Sequence, residues 1–320
     1  MYFNILRTLF SLKKRDDYPM YSMTYYGDYG FDDFIKQGAK SDDDIRQFVR
    51  ARLTRGKYIK HNTPDSGCTA FLTKNADGNI LFARNYDFSY APSLVVKTKP
   101  RNGYASVSVV DMTILGYSKE QLPKRLSERL PLMASPYLPS DGMNEKGLAI
   151  AILQVPMTNL PNAPNKITLN TTTMIRYILD KAATVDEAVA VFSKYNIYFS
   201  RDIYCHFFIA DKSGKSVIVE YWDGEIHVIN EGIASNFIAY NDCEYERVDA
   251  HGRYEKVESV IGERKGVLNT QDAASLLCDV GCYGNDKADL LQWSAVYNLS
   301  KLTGIVFPCR DMQKQYQFRI

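Results

Sequence analysis

The sequence predicts an α+β fold in which antiparallel sheets carry helices on their outer surfaces. Three observations carry this expectation. Strand-like blocks alternate with pairs of helices rather than with single helices, which argues against a parallel, singly alternating sheet. The run GLAIAILQV (147–155) is continuously apolar, as a strand buried on both faces must be. CHFFIADKSGKSVIVEYWDGEIHVI (205–229) reads as a three-strand meander, with turns at Lys212 to Lys215 and Trp222 to Glu225.

In chain order, MYFNILRTLFSLKKRDD opens with a short apolar patch interrupted by Arg7, and the basic residues follow it. A secretory signal has the reverse order and a small-residue cleavage site, so the expectation is a cytoplasmic protein. No apolar run approaches the roughly 18 residues of a membrane helix. Residues 16 to 40 are rich in Asp, Tyr and Gly and read as irregular. SDDDIRQFVRARLTRG reads as a helix: Ser41 caps it, Asp42, Asp43 and Asp44 complement its dipole, and Gly56 ends it. Ile45, Phe48, Val49 and Leu53 form its apolar stripe. A turn-rich connector follows, so residues 1–67 form a segment too small for its own core. It is expected to be a pro-segment or small subunit ahead of one larger domain over 68–320.

From Cys68 the pattern becomes β. CTAFLTK and NILFARNYD flank NADG, a hairpin signal. VVKTKP and YASVSVVDMTIL follow as strands, and Asn144, Glu145 and Lys146 make a tight turn before the buried run. TTTMIRYILDKA and TVDEAVAVFSKY are helices, the second with Thr184 and Glu187 as a capping box. EYERVDAHGRYEKVESVIGERK and TQDAASLLCDVG are two more, and SAVYNLSKLTGIVFPCRDMQKQYQFRI supplies closing strands.

Composition narrows the function classes. The chain has 320 residues, a net charge of +2 and a pI near 8.1. Nucleic-acid binding would need clustered Lys and Arg on one face. The one basic cluster, Lys13, Lys14 and Arg15, runs straight into Asp16 and Asp17. Six cysteines in this length make no disulfide framework. Cys278 and Cys282 lack the partner pair that zinc requires and read as neighbours on one helix face. No metal or organic cofactor is expected.

Cys68 stands out because it follows Ser66-Gly67 at the head of a strand. On its own it would be a buried structural cysteine. The motifs around and after it say more: GCTAF…DGNILFARNYDF, SDGMNEKGLAIAILQVP, HFFIADKSGKSVIVEY, AYND, GRYEKVE and SAVYNLSKLTGIVF, in that order. Together they resemble the choloylglycine hydrolase family, the bile-salt hydrolases and penicillin V acylases of the N-terminal-nucleophile superfamily. Acid ceramidase and N-acylethanolamine acid amidase are more distant members of that superfamily. The resemblance spans roughly 68 to 320.

The resemblance implies a four-layer αββα sandwich and cleavage of the Gly67–Cys68 bond, which leaves Cys68 as a new N-terminus. The chemistry is self-consistent. A thiol with pKa about 8.5 needs a base, and no histidine sits in the matching motifs near Cys68. A free α-amino group, pKa about 7.7–8.0, would be that base on the same residue. By the same resemblance Arg84 favours the thiolate, Asp87 orients the amine or thiol, Asn241 donates to the oxyanion, and Arg253 supports this charge network. Gln154 stands where relatives place Asn or Tyr as a second oxyanion or substrate contact.

Read without the family, Arg84 and Asp87 are a surface pair. At i and i+3 on a strand they point to opposite faces unless the strand ends or bulges near Asn85. Asn241 alone is a turn residue and Arg253 a solvated helix residue. His206, next to Cys205, reads as a hydrogen-bonded structural histidine. The expected activity is hydrolysis of a linear, non-peptide C–N amide by an acyl-enzyme, the substrate a small-molecule N-acyl amide: a fatty N-acyl amide, a conjugated bile salt or a penicillin V. The 67 residues ahead of Cys68 favour fatty or aromatic N-acyl amides over bile salts, and are expected to stay bound. Alternatives are an acyltransferase that passes the acyl group to an amine, and an unprocessed binding protein on the same fold.

Overall fold

The computed structural model describes residues 2–53, 67–242, 247–249, 251–282, 291–309 and 311–320. The strands in chain order begin with β1 (Lys13–Asp16), β2 (Met20–Thr24), β3 (Gly67–Lys74), β4 (Ile80–Asp87), β5 (Ser93–Thr98) and β6 (Ser106–Asp111). They continue with β7 (Asp141–Asn144), β8 (Leu148–Gln154), β9 (Thr168–Asn170), β10 (Asn196–Tyr198), β11 (Cys205–Asp211) and β12 (Ser216–Trp222). The last are β13 (Glu225–Ile229), β14 (Ile233–Ala234), β15 (Leu291–Asn298), β16 (Thr303–Pro308) and β17 (Tyr316–Arg319). The helices are α1 (Tyr2–Phe10), α2 (Phe31–Gln37), α3 (Asp42–Arg52), α4 (Thr171–Lys181), α5 (Val185–Phe192), α6 (Arg253–Glu263) and α7 (Thr270–Asp279).

Two sheets form the centre. One runs β1-β2-β5-β6-β7-β8-β11-β12-β13 and the other β14-β3-β4-β15-β16-β17. They face each other across Phe82, Phe208, Met143, Trp293 and Tyr297, all fully buried. Helices α4 and α5 cover the outer face of the nine-stranded sheet, and α6 and α7 that of the six-stranded sheet. The result is the four-layer αββα sandwich. β8 lies between β7 and β11, which explains its continuous apolar run. The NADG turn joins β3 to β4: Gly78 takes φ 79, and Asn75 Oδ1 accepts the N–H groups of Asp77 and Asn79.

Several expectations are corrected. Residues 16–40 are not irregular, since they hold β2 and α2. β2 has little strand signal of its own; it forms because the edge of β5 is open to it, and it pairs there in parallel. The strand expected over 104–115 ends at Asp111, whose carboxylate accepts the Thr113 N–H and turns 112–115 into a 3-10 helix. Helix α6 begins only at Arg253, after Gly252 at φ 62. Glu187 receives its N–H from Ala183, one residue earlier than a capping box requires, while Thr184 Oγ1 accepts from Glu187 as expected. Gly56 and residues 57–66 of the connector lie outside the described residues.

The N-terminal segment is woven into the large sheet and its core. α3 is capped as anticipated, with Ser41 Oγ accepting the Asp44 N–H at 3.3 Å. Phe31, Phe34, Ile45 and Val49 are buried in the same cluster as Tyr137, Ile175 and Phe207 of the remainder. Each such side chain contributes about 1.5–3 kcal/mol by leaving water. No helix among the described residues is long and apolar enough to cross a membrane.

Candidate active site

Register places the site. In the β3–β4 pair Cys68 lies opposite Tyr86, Ala70 opposite Arg84, and Gly67 opposite Asp87. Because side chains alternate, Cys68, Arg84 and Tyr86 face the other sheet, while Asp87 faces the helices. Arg84 and Asp87 therefore do point to opposite faces. Both influence Cys68 because Asp87 is the last residue of β4, where the adjoining β15 is irregular between Leu291 and Trp293. Burial pushes the Cys68 thiol up; Arg84 and Arg253 oppose this and Asp87 adds to it.

On the inter-sheet side, Arg84 is fully buried. Its guanidinium sits 3.1 Å from Asp141 Oδ2 and donates to the Ile152 carbonyl at 2.9 Å. Asp141 also accepts from Trp293 Nε1 and Tyr297 Oη. Tyr86 stacks on Trp293 with centroids 3.9 Å apart, and its hydroxyl reaches Asp111.

On the helix side, Arg253 opens α6 and is also buried. It donates to Asp249 through Nε and Nη2, and its Nη1 reaches the Cys68 carbonyl at 3.3 Å. Ser235 donates its hydroxyl proton to Asp249, with the same oxygen 3.5 Å from the Cys68 carbonyl. Asp87 Oδ1 accepts the Cys282 N–H at 3.2 Å. Its Oδ2 is 3.9 Å from Arg253 Nη1 and has no hydrogen-bond partner among the described residues. Burial raises the Asp87 carboxyl to about 7, against the pull of Arg253, the Cys282 N–H and Arg84. Gly67 packs so tightly here that a Cβ would come within 2.7 Å of Arg253 Nη1 and of Cys282 Sγ.

The amide beside Cys68 is Asn236, not Asn241. Asn236 Oδ1 accepts the Cys68 N–H at 2.5 Å, and its Nδ2 donates to the Gln154 carbonyl at 2.7 Å. Asn241 is exposed and accepts from Arg247. The sequence reading names only Asn241, five residues further on; the β14–β3 pairing brings Asn236 to Cys68. Cys282 is likewise not a helix-face partner of Cys278. It lies beyond the end of α7, where its thiol accepts from Arg253 and burial lifts it to about 12. His206 pairs with Glu220 at 3.2 Å, and that carboxylate also accepts the Ala239 and Tyr240 N–H groups.

Cys68 opens into a cavity of about 180 Å³. Tyr86, Ile152, Gln154 and Cys205 surround its inner end; Ile45 and Val49 of α3, Leu115 and Tyr137 line it further out. Gln154 and Cys68 both line this cavity, and the Asn236 side chain bridges the Cys68 N–H and the Gln154 carbonyl. No group of three or more His, Cys, Asp or Glu among the described residues is placed to hold a metal ion.

The layering and the strand-end position of Cys68 define a protein of the N-terminal-nucleophile hydrolase fold. The conjugated bile acid hydrolase of Clostridium perfringens superposes with a TM-score of 0.59 at 18% identity, covering 79% of this chain and 92% of that one. Penicillin V acylase of Agrobacterium tumefaciens gives 0.58 at 18% identity, over 79% and 86%. The chain belongs to the choloylglycine hydrolase family of linear amide C–N hydrolases, whose family model matches residues 68–259. A penicillin V acylase of Pectobacterium atrosepticum is 34% identical over 97 residues, 27% of this chain and 26% of that protein. A bile salt hydrolase/transferase of Clostridium perfringens is 27% identical over 176 residues, 52% of this chain and 51% of its own. The chain thus spans about a quarter and about half of the lengths of these curated relatives.

Proposed function

We propose that this protein is an autoprocessed cysteine amidohydrolase that cleaves a small-molecule N-acyl amide through an acyl-enzyme on Cys68. The observation that carries the reading is Cys68 at the inner end of a largely apolar cavity, with Arg84, Asp87, Arg253 and Asn236 converging on it.

Maturation begins when the Cys68 thiolate adds to the Gly67 carbonyl carbon. The Gly67–Cys68 C–N bond breaks as its nitrogen takes a proton, leaving a thioester and a free amine. Water then hydrolyses the thioester to a Gly67 carboxylate and the Cys68 thiol. The α-amine keeps Asn236 Oδ1 as one acceptor, and the orphan Asp87 Oδ2 offers the next. In turnover this amine takes the thiol proton, and the thiolate adds to the substrate carbonyl. The collapsing intermediate expels the amine product with that proton, and water releases the acid. Arg84 and Arg253 lower the cost of the buried thiolate by Coulomb attraction. Asn236 takes the place at the reacting centre that the sequence assigned to Asn241, and Gln154 remains the second amide there.

The segment before the cut is retained as a small subunit, since β2 is hydrogen-bonded into the large sheet and α3 is buried against its helices. An acyltransferase is the second reading, favoured by the hydrolase/transferase name of one relative; the same residues serve both, and amine acceptors added to the assay distinguish them.

N-terminal sequencing and intact mass should find a chain starting at Cys68 in active protein and an uncut chain in Cys68→Ala. Conjugated bile salts, penicillin V and N-acylethanolamines form the substrate panel. An intact 1–320 chain with full activity overturns the mechanism, and an intact chain that binds these amides without hydrolysing them makes the protein a binding protein. In enzyme made with Cys68 already N-terminal, Asn236→Ala should lose about 10²–10³ in kcat. Asn241→Ala should stay within about 0.5 kcal/mol of wild type; the opposite result restores Asn241.

A further inference from the structure

We propose that α3, on the far side of the cut from Cys68, is the wall of the cavity that selects the acyl chain, with Ile45 and Val49 as the selecting side chains. This deepens the amidohydrolase reading and rests on it for the identity of the ligand as an acyl group.

Ile45 and Val49 are four residues apart, so they project from one face of α3. Both line the cavity that contains Cys68. The facing wall comes from Leu115 and from Ala134 and Tyr137 of the 3-10 helix 126–137. Most of the lining surface is apolar, with Asp42, Arg46 and Arg50 of α3, Asp111 and Arg201 also bordering the cavity, which suits a group with an alkyl or aryl chain. The inner end is polar, with Gln154 and Cys68, which suits the carbonyl.

α3 is held there without its covalent link to Cys68. Asp42 Oδ1 accepts from Ser200 Oγ at 2.6 Å and from Tyr198 Oη at 3.2 Å, pinning its first turn to the loop after β10. Phe48 packs edge-on against Phe34 and tilted against Tyr137, with centroids 5.2 and 6.1 Å away. The selecting wall and the nucleophile therefore end up on separate polypeptides after maturation. Exchange of the small piece then becomes a way to change specificity without touching Cys68, Arg84 or Asp87.

The test uses two assays on the full chain. Calorimetry on intact Cys68→Ala measures binding of saturated fatty acids from six to sixteen carbons. Steady-state kinetics on matured protein measures kcat/KM for the matching N-acyl amides. Val49→Phe should shift the preferred acid to a shorter chain, each excluded methylene weakening binding about threefold to fourfold. Ile45→Ala should shift it the other way. If either variant fails to fold, Val49→Ile and Ile45→Val make the same opposed shifts on a smaller scale. Unchanged chain-length profiles in folded variants, or no binding of any acid by the parent, overturn the inference. Hydrolysis with unchanged profiles sinks the α3 wall and leaves the amidohydrolase reading standing. Profiles that shift in binding while the parent hydrolyses no amide keep the wall and sink that reading.

Discussion

Cys68 sits between two buried arginine–aspartate pairs that look alike and are built differently. On the helix side, Arg253 and Asp249 are four residues apart, and the carboxylate also collects the His251 and Tyr254 N–H groups and the Ser235 hydroxyl. Burial works against its charge, but these donors and Arg253 hold Asp249 below the usual carboxylate value. On the inter-sheet side, Arg84 and Asp141 come from different sheets, and among the described residues Asp141 has, beyond Arg84, only the Trp293 N–H and the Tyr297 hydroxyl. Burial lifts Asp141 despite Arg84. A local network spreads the stabilisation of its anion over Arg253 and three further donors; a cross-sheet pair leans more heavily on its one arginine.

The largest effect should come from removing each arginine. Arg84→Leu leaves Asp141 buried against two neutral donors and should cost about 3–5 kcal/mol in urea unfolding. Arg253→Leu leaves Asp249 with three donors and should cost about 1–3 kcal/mol. Adding Asp141→Leu to Arg84→Leu should recover most of the loss in stability, though not maturation. Equal costs for the two single variants would erase the distinction drawn between the pairs.

Asp87 sharpens the comparison, since it lies on the helix side yet has, among the described residues, no arginine at hydrogen-bonding distance. Its folded pKa, about 7, lies above its unfolded value near 4. Between those values the folded state holds the extra proton, so stability falls as pH rises, by about 1.4 kcal/mol per pH unit, and the cost persists above 7. Asp87→Asn should therefore be more stable than wild type at pH 8 and similar at pH 4, by thermal unfolding at both pH values. Loss of stability at pH 8 would mean the charged form is favoured inside the fold. If ionised Asp87 is needed for turnover, wild-type kcat/KM should rise through an apparent pKa near 7.

The smallest effect tests the aromatic floor of the inter-sheet side. A double-mutant cycle on Tyr86 and Trp293, with Leu at each, should return a coupling of about 0.5–1.5 kcal/mol for the stacked pair. A coupling near zero would leave the Tyr86 hydroxyl bond to Asp111 as the reason that ring is held.

Much was readable in the chain because it is governed by near neighbours. Ser41 and the three aspartates after it fix the start of α3, and Asn75 with Gly78 fixes the β3–β4 turn. That turn sets the register that puts Arg84 and Cys68 on one face and Asp87 on the other. The continuous apolar run of β8 announced a central strand.

The tertiary structure decided what depends on contacts between distant segments. β2 is a strand because β5 leaves it an edge, and nothing in Met20–Thr24 required a parallel partner. Asn236 rather than Asn241 meets Cys68, because β14 pairs with β3 and ends one residue before Ser235. Cys282 reaches Asp87 only once α7 has ended. Arg84 finds its carboxylate on the opposite sheet, and a helix from the N-terminal segment closes the cavity over Cys68. Local rules reach about one turn along the chain; the charges and walls of this site lie many residues apart and meet only when two sheets stack.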